Sequence, residues 1–231
     1  MISAVIVAAG SSRRMGFDKL FVELAGKPII AHTLWNFQNC QDINEIIIVS
    51  QPDKFDRFIQ LKEQLALDKI SHMVAGGIER QNSVFAGIKS TQNDTTFVVI
   101  HDGARPLCTP NMIHQTVETA KKHGASVAAS KVVDTMKEAN DDLSIKKTVD
   151  RSQLWAVQTP QVFEKSIIIE AYEEVFRRGM IVTDDTAALE LLGIKAYLVD
   201  TGRSNIKITT PEDLAIAEIL LGKNRRDLIG K

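Results

Sequence analysis

The sequence predicts an α/β fold with a mostly parallel, twisted sheet flanked by helices, and three observations support it. Short apolar runs rich in β-branched residues recur along the chain, helical patterns fill the gaps between them, and turn residues mark the joins. Read in order, strands are expected at Ala4 to Ala8, Glu45 to Ser50, His72 to Ala75, Phe97 to His101, Ser126 to Ala129 and Ala196 to Asp200. Helices are expected at Pro28 to Asn39, Lys54 to Ala66, Arg80 to Lys89, Pro110 to His123, Lys165 to Arg178 and Pro211 to Leu221. Two helix starts are well marked: Thr109 precedes Pro110, and Thr210 precedes Pro211 with Asp213 in the first turn. In each, a capping hydroxyl stands beside a proline that has no N–H to satisfy.

One segment breaks the alternation. Val132 to Lys137 and Ile145 to Val149 flank Asn140-Asp141-Asp142, a strong turn signal, so 131–152 is expected to project as a β-hairpin arm. A lone hairpin is marginal in water, and packing on a second subunit is the natural remedy, which makes a homodimer the expected assembly. The whole is expected to be a single Rossmann-like domain, 1–231, carrying that arm.

Composition narrows the function. A chain of 231 residues can bury the core of one domain. Lys plus Arg number 28 against 29 Asp plus Glu, so no global basic field recruits nucleic acid and any anion site must be local. Cys40 and Cys108 form no Cys-x-x-Cys or Cys/His cluster and fit a reducing compartment as thiols. The N-terminal apolar run is too short for a signal peptide, and no stretch approaches the roughly 18 apolar residues of a membrane span. A soluble, cytoplasmic protein is expected.

The most informative stretch runs from Val5 to Lys19, where an apolar strand enters a small-residue turn followed by Arg13, Arg14 and Lys19. Close-approaching backbone N–H groups and fixed cations are what a nucleoside triphosphate needs. A Walker A loop is excluded because no Gly-Lys-Ser/Thr run occurs, and the dinucleotide fingerprint because Ser12 stands where its second glycine should be. In an open α/β sheet, the residues after each strand share one crevice. Here they include Gly10; Gly76-Gly77-Ile78-Glu79-Arg80 with Ser83; and His101-Asp102-Gly103-Ala104-Arg105-Pro106. Gly76 and Gly77 let backbone approach a base or ribose. Asp102 can hold Mg²⁺, take a substrate hydroxyl or orient Arg105, and the residues alone leave these open. His101 reads as a packed histidine at a strand end.

The run A-A-G-x-S-x-R-M-G-x-x-K resembles the signature loop of nucleotidyltransferases. With G-G-x-E-R-x-x-S-V at Gly76 to Val84, H-D-G-A-R-P at His101 to Pro106, D-T-M-K at Asp134 to Lys137, V-D-R-x-x-L-W at Val149 to Trp155, Q-T-P-Q at Gln158 to Gln161, T-D-D at Thr183 to Asp185 and N-I-K-I-T at Asn205 to Thr209, the chain resembles the 2-C-methyl-D-erythritol 4-phosphate cytidylyltransferase family. The resemblance implies CTP and a polyol phosphate as substrates, Mg²⁺ or another divalent cation, and a homodimer with arm exchange. It implies Arg14 and Lys19 as the pair that stabilises the CTP phosphates, and Arg151 and Lys207 as the pair that holds the acceptor phosphate. Ala8, Ala9, Gly10, Gly76, Gly77, Ser83 and Asp102 would line the nucleotide. Asp102, Arg105, Thr135, Arg151, Thr159, Thr183 and Lys207 would surround the acceptor, with Thr135 and Arg151 delivered by the neighbouring subunit's arm.

Three positions depart from the family's commoner pattern: Ala8 for Pro, Gly103 for Ala, and Ile78 for Asp. The last removes a carboxylate beside the expected base site. Ribitol 5-phosphate or another polyol phosphate is the alternative acceptor, and a nucleotide-binding regulator without turnover is the alternative of a different class.

Overall fold

The computed structural model describes residues 1–10 and 18–229, with backbone alone over 223–229. In chain order the first half contains β1 (Ile2–Val7), β2 (Glu23–Leu24), β3 (Lys27–Pro28), α1 (Ile29–Gln38), β4 (Glu45–Ser50), α2 (Phe55–Gln64), β5 (Ile70–Ala75), α3 (Arg80–Lys89) and β6 (Phe97–Asp102). The second half contains α4 (Pro110–His123), β7 (Ala125–Lys131), β8 (Lys137–Ala139), β9 (Ile145–Thr148), β10 (Trp155–Glu164), α5 (Lys165–Arg177), α6 (Asp185–Glu190), β11 (Tyr197–Asp200) and α7 (Pro211–Ile229). Seven strands form one sheet in the order β11-β7-β10-β6-β1-β4-β5. β1 lies parallel to both β4 and β6, β4 to β5, and β11 to β7.

The expected α/β class is therefore observed, with one reversal. β10 runs antiparallel between β6 and β7, and no strand is expected there from the sequence. Its core is polar, Gln158-Thr159-Pro160-Gln161, and a proline inside a run argues against a central strand. The chain accommodates the proline where the register against β7 shifts between Val157 and Gln161. The short helix α6 and the β2–β3 pair are also additions to the expected elements. The hairpin is shorter than expected, with Lys137 opposite Thr148 and Ala139 opposite Ile145. Its turn closes through Asn140 N–H to the Ser144 carbonyl and Ser144 N–H to the Asp142 carboxylate.

The sheet is buried on both faces because its central strands are apolar at successive positions. On one face Ile6, Ile46, Ile48 and Val99 pack against Leu34 and Phe37 of α1 and Ile113 of α4. On the other, Val5, Ile47, Val49 and Ile100 meet Val84 of α3 and Ile168 and Tyr172 of α5. Each such side chain contributes about 1.5–3 kcal/mol relative to exposure. Gly87 lets α3 sit close: a Cβ there would lie 2.4 Å from Val5 Cγ1 and 2.7 Å from Val49 Cγ2. A third cluster, Leu24, Ile29, Leu107, Ile208 and Ala217, docks α7 and the strip before it onto the β2–β3 pair. Both expected caps form. Thr109 Oγ1 accepts from Met112 N–H, and Asp213 accepts from Thr210 N–H while Thr210 Oγ1 accepts from Asp213 N–H.

Candidate active site

From β1 the chain moves outward through β4 and β5, then returns to place β6 on the other side of β1. The switch point thus lies between β1 and β6, where an open α/β sheet opens its ligand crevice at the strands' carboxyl ends. The loops there are tied to neighbouring strands: Ala8 N–H donates to the Val49 carbonyl at 2.7 Å, Gly103 N–H to Val7 at 2.9 Å and Gly76 N–H to Ser50 at 2.9 Å. A hollow of about 580 Å³ opens between them, lined by Ala8, Ala9, Gly10, Lys19, Gly77, Ser83, Asp102 and Lys207 among others.

Close packing explains the glycine pair. A Cβ on Gly76 would lie 2.3 Å from Ala9 Cβ, and one on Gly77 would lie 2.4 Å from Asn82 Cβ. Ser83 Oγ accepts from Gly77 N–H at 3.1 Å and donates to the Glu79 carbonyl at 3.3 Å, so the loop is pinned to the first turn of α3. Ile78, at the lip of this hollow, is almost wholly exposed.

A second hollow of about 550 Å³ is lined by Arg105, Thr159 and Thr183, and it shares Arg80, Asp102 and Lys207 with the first. Asp102 is the hinge between them. Lys207 Nζ lies 2.8 Å from its Oδ2, Arg80 Nε 3.3 Å from its Oδ1 and Arg105 Nε 3.7 Å from its Oδ2. Burial alone would raise the Asp102 carboxyl, but Arg80, Lys207 and Arg105 outweigh it and hold the group well below the usual carboxylate range. Arg80 is itself clamped from behind, its two terminal nitrogens 2.8 and 2.9 Å from the fully buried Asp185, which also accepts from the Tyr172 hydroxyl. Burial opposes the charge on Arg80, yet Asp185 and Asp102 raise its pKa further.

The strip before α7 gathers the remaining cations. Lys19 Nζ donates to the Ile208 carbonyl at 3.0 Å, one residue beyond Lys207, and Ile208 N–H donates to the Ala104 carbonyl. Arg105 Nη1 donates to the Asn205 carbonyl at 2.8 Å. Two lysines and two arginines from four separate parts of the chain therefore face a crevice with Asp102 at its floor and Glu79, Asp184 and Glu190 among its walls. Such an arrangement holds polyanions.

The profile of the family "2-C-methyl-D-erythritol 4-phosphate cytidylyltransferase" matches residues 2–223. The chain belongs to this family. A relative from Alkaliphilus oremlandii bearing the cytidylyltransferase name is 42% identical over 229 residues, covering 97% of this chain and 96% of that protein. One from Dehalococcoides mccartyi is 44% identical over 225 residues, covering 97% of each. Among solved structures, the 4-diphosphocytidyl-2C-methyl-D-erythritol synthase of Anaerococcus prevotii superposes with a TM-score of 0.87 at 33% identity, covering 96% of each chain. The Thermus thermophilus cytidylyltransferase superposes with a TM-score of 0.77 at 27% identity, covering 94% of this chain and 97% of that one. The resemblance expected from the motifs is borne out.

Of the residues this cytidylyltransferase was expected to use, Ala8, Ala9, Gly10, Lys19, Gly77, Ser83, Asp102 and Lys207 line the first hollow, with Gly76 packed behind Ala9. Arg105, Thr159 and Thr183 line the second with Asp102 and Lys207. Arg151 and Thr135 are exposed on the arm and line neither hollow of their own chain. Arg14 lies outside the described residues. Of the roles open to Asp102, pairing with Arg105 is realised, together with pairings to Arg80 and Lys207 that motif reading misses. The clamp by Asp185 and Tyr172 is missed too; the only trace in the sequence is the T-D-D run.

His101 is packed as expected: burial pulls its imidazole down to about 3, so the ring is neutral at ordinary pH. A divalent cation would find Asp102 already paired with three cations; such an ion would be held chiefly by phosphate oxygens and water, the usual manner of Mg²⁺. The group Asp42, His114 and Glu118 has ligand atoms within 4.8 Å of one another. It lies between the end of α1 and α4, by the amino end of β4, and Lys121 Nζ already bridges Asp42 and Glu118.

Proposed function

We infer that the chain transfers a cytidylyl group from CTP to 2-C-methyl-D-erythritol 4-phosphate, giving 4-diphosphocytidyl-2-C-methyl-D-erythritol and pyrophosphate. The observation that carries this reading is the meeting of two hollows at Asp102, Lys207 and Arg80, within a family match over nearly the whole chain. The glycine-walled hollow takes the nucleotide and the cationic one takes the acceptor.

In the reaction, an acceptor phosphate oxygen forms a bond to the α-phosphorus of CTP while the bond to the pyrophosphate oxygen breaks. The nucleophile is already ionised, so no base is needed. The obstacle is charge: two unit anions about 4 Å apart repel by roughly 4 kcal/mol at an effective dielectric near 20. Fixed cations offset that repulsion, and they stand in place before substrate arrives. Lys19, held by the Ile208 carbonyl, sits on the nucleotide side, and Arg14 is assigned to the same role. Lys207 stands on the boundary and turns toward the acceptor phosphate, with Asp102 keeping its ammonium in position between substrates. A bound Mg²⁺ would add to the neutralisation of the triphosphate that Lys19 provides.

The chain acts as one catalytic domain, with 131–152 as an arm, and the working unit is a homodimer in which the arm carries Arg151 and Thr135 to the neighbouring site. The full exposure of β9, and the exposure of Leu143 and Ile145, support this reading. Free thiols at Cys40 and Cys108 fit a cytoplasmic setting, and no helix among the described residues is long and apolar enough to cross a membrane.

Pyrophosphate release with CTP, Mg²⁺ and either 2-C-methyl-D-erythritol 4-phosphate or ribitol 5-phosphate tests the assignment. Turnover that strongly favours the former is expected; equal or better turnover with ribitol 5-phosphate overturns the acceptor, and tight CTP binding with no product overturns the enzyme. Arg151→Ala protein mixed with Lys19→Ala protein is expected to recover part of the lost activity, and no recovery refutes the shared site.

A further inference from the structure

A closed chain of hydrogen bonds runs behind the acceptor hollow. Asp102 N–H donates to Thr159 Oγ1 at 3.0 Å, that hydroxyl lies 3.0 Å from His101 Nδ1, and His101 Nε2 lies 3.3 Å from the Arg105 carbonyl. The direction of each bond follows from the donors available. A carbonyl only accepts, so Nε2 carries the ring proton and Nδ1 of the neutral imidazole accepts. The Thr159 hydroxyl already accepts from Asp102, and its single hydrogen therefore goes to His101. Thr159, a residue that lines the hollow, is thereby left with one unused hydroxyl lone pair and no unused hydroxyl hydrogen.

The surroundings keep this arrangement in one register. His101 is fully buried, its ring 4.8 Å from that of Phe37. The loop it braces is held elsewhere as well, by Thr33 Oγ1 on the Gly103 carbonyl and Asn36 Nδ2 on the Pro106 carbonyl. Asn205 Nδ2 fixes the far side of Thr159 through its carbonyl at 2.8 Å.

We propose that His101 is a positioning residue for the acceptor site: by taking the Thr159 hydrogen and holding the Arg105 carbonyl, it presents Thr159 solely as an acceptor for a polyol hydroxyl and fixes the turn bearing Asp102 and Arg105. The proposal rests on the reading of the second hollow as the acceptor site. It adds a division of labour inside that site. Phosphate is recognised by Lys207 and the arm's Arg151, which only donate, while Thr159 cannot donate to phosphate and selects for a hydroxyl.

Nitrogen NMR and steady-state kinetics on the full chain test this. Nitrogen NMR of the imidazoles is expected to show His101 as the Nε2–H tautomer, with its Nδ1 resonance displaced in Thr159→Val and the Nε2 resonance unchanged. In kinetics, His101→Gln, whose amide can still reach the Arg105 carbonyl, and Thr159→Val are each expected to raise KM for the acceptor about tenfold, the scale of one neutral hydrogen bond, with KM for CTP nearly unchanged. The double variant is expected to be no worse than Thr159→Val alone, because both changes remove one interaction, and Thr159→Ser is expected to retain near-normal KM. A Nδ1–H tautomer, equal changes in the two KM values, or additive losses in the double variant would overturn the proposal. The NMR outcome needs no turnover, so it stands or falls separately from the acceptor assignment, and it is read on the unsubstituted protein even where His101→Gln folds poorly.

Discussion

Two charge-rich regions of this chain make ion pairs of similar length and very different consequence. At the crevice, Asp102 and Asp185 are buried and each is paired with arginine held by several bonds. On the arm, Glu138 pairs with Lys146 and Lys147 at the surface, both lysines exposed and the carboxylate half-buried. Distance does not separate the two. Burial does: solvent and salt screen the arm's pairs, whereas Asp102 and Asp185 are buried and a partner left without them meets far less water. The crevice's ion pairs are therefore part of the fold itself, and the arm's pairs are not.

Breaking the crevice first gives the largest contrast. Asp102→Ala leaves Arg80, Arg105 and Lys207 facing one another, and a loss of about 3–5 kcal/mol of stability is expected, read by denaturant unfolding. An unchanged midpoint would erase the distinction between the two regions. Lys19→Ala keeps the floor intact but removes one preset donor; kcat is expected to fall about 10²- to 10³-fold with the melting temperature little changed, checked by pyrophosphate release beside calorimetry.

A pH series sharpens the same contrast. The unfolded chain takes up a proton on His101 below about pH 6.5, whereas the folded chain resists until about 3, so stability falls with acid across that window at about 1.4 kcal/mol per pH unit. Asp102, depressed in the fold, adds its own loss once the pH drops through the ordinary carboxylate range. His101→Gln is expected to flatten the first part of this slope in thermal melts, while arm substitutions leave it unchanged. Smallest of all, Glu138→Ala is expected to leave the melting temperature of the chain where it was.

Much of this was legible beforehand. Strand and helix runs with strong periodicity, the caps at Thr109 and Thr210, the glycine pair, Lys19 after β1 and the cations after β5 and β6 are local signals, and among the described residues each reappears in place. β10 was not legible, because Gln158, Thr159 and Gln161 look like a loop until their side chains are seen bonded to Ser130, His101 and Asp184. Arg80 was visible in its motif, yet its partner Asp185 lies 105 residues away, and sequence spacing carries no information about such a pair.

The sequence by itself determined the α/β class, the family and the inventory of cations, because periodicity, turn chemistry and motif spacing are written along the chain. Only the tertiary structure decided that Lys19 rests on the Ile208 carbonyl, that Asp102 joins two hollows, and that the His101 ring meets the Thr159 hydroxyl. Those facts depend on burial and on contacts between distant segments. An electrostatic partner gains its strength from the water that folding removes, and the sequence does not show where that water is lost.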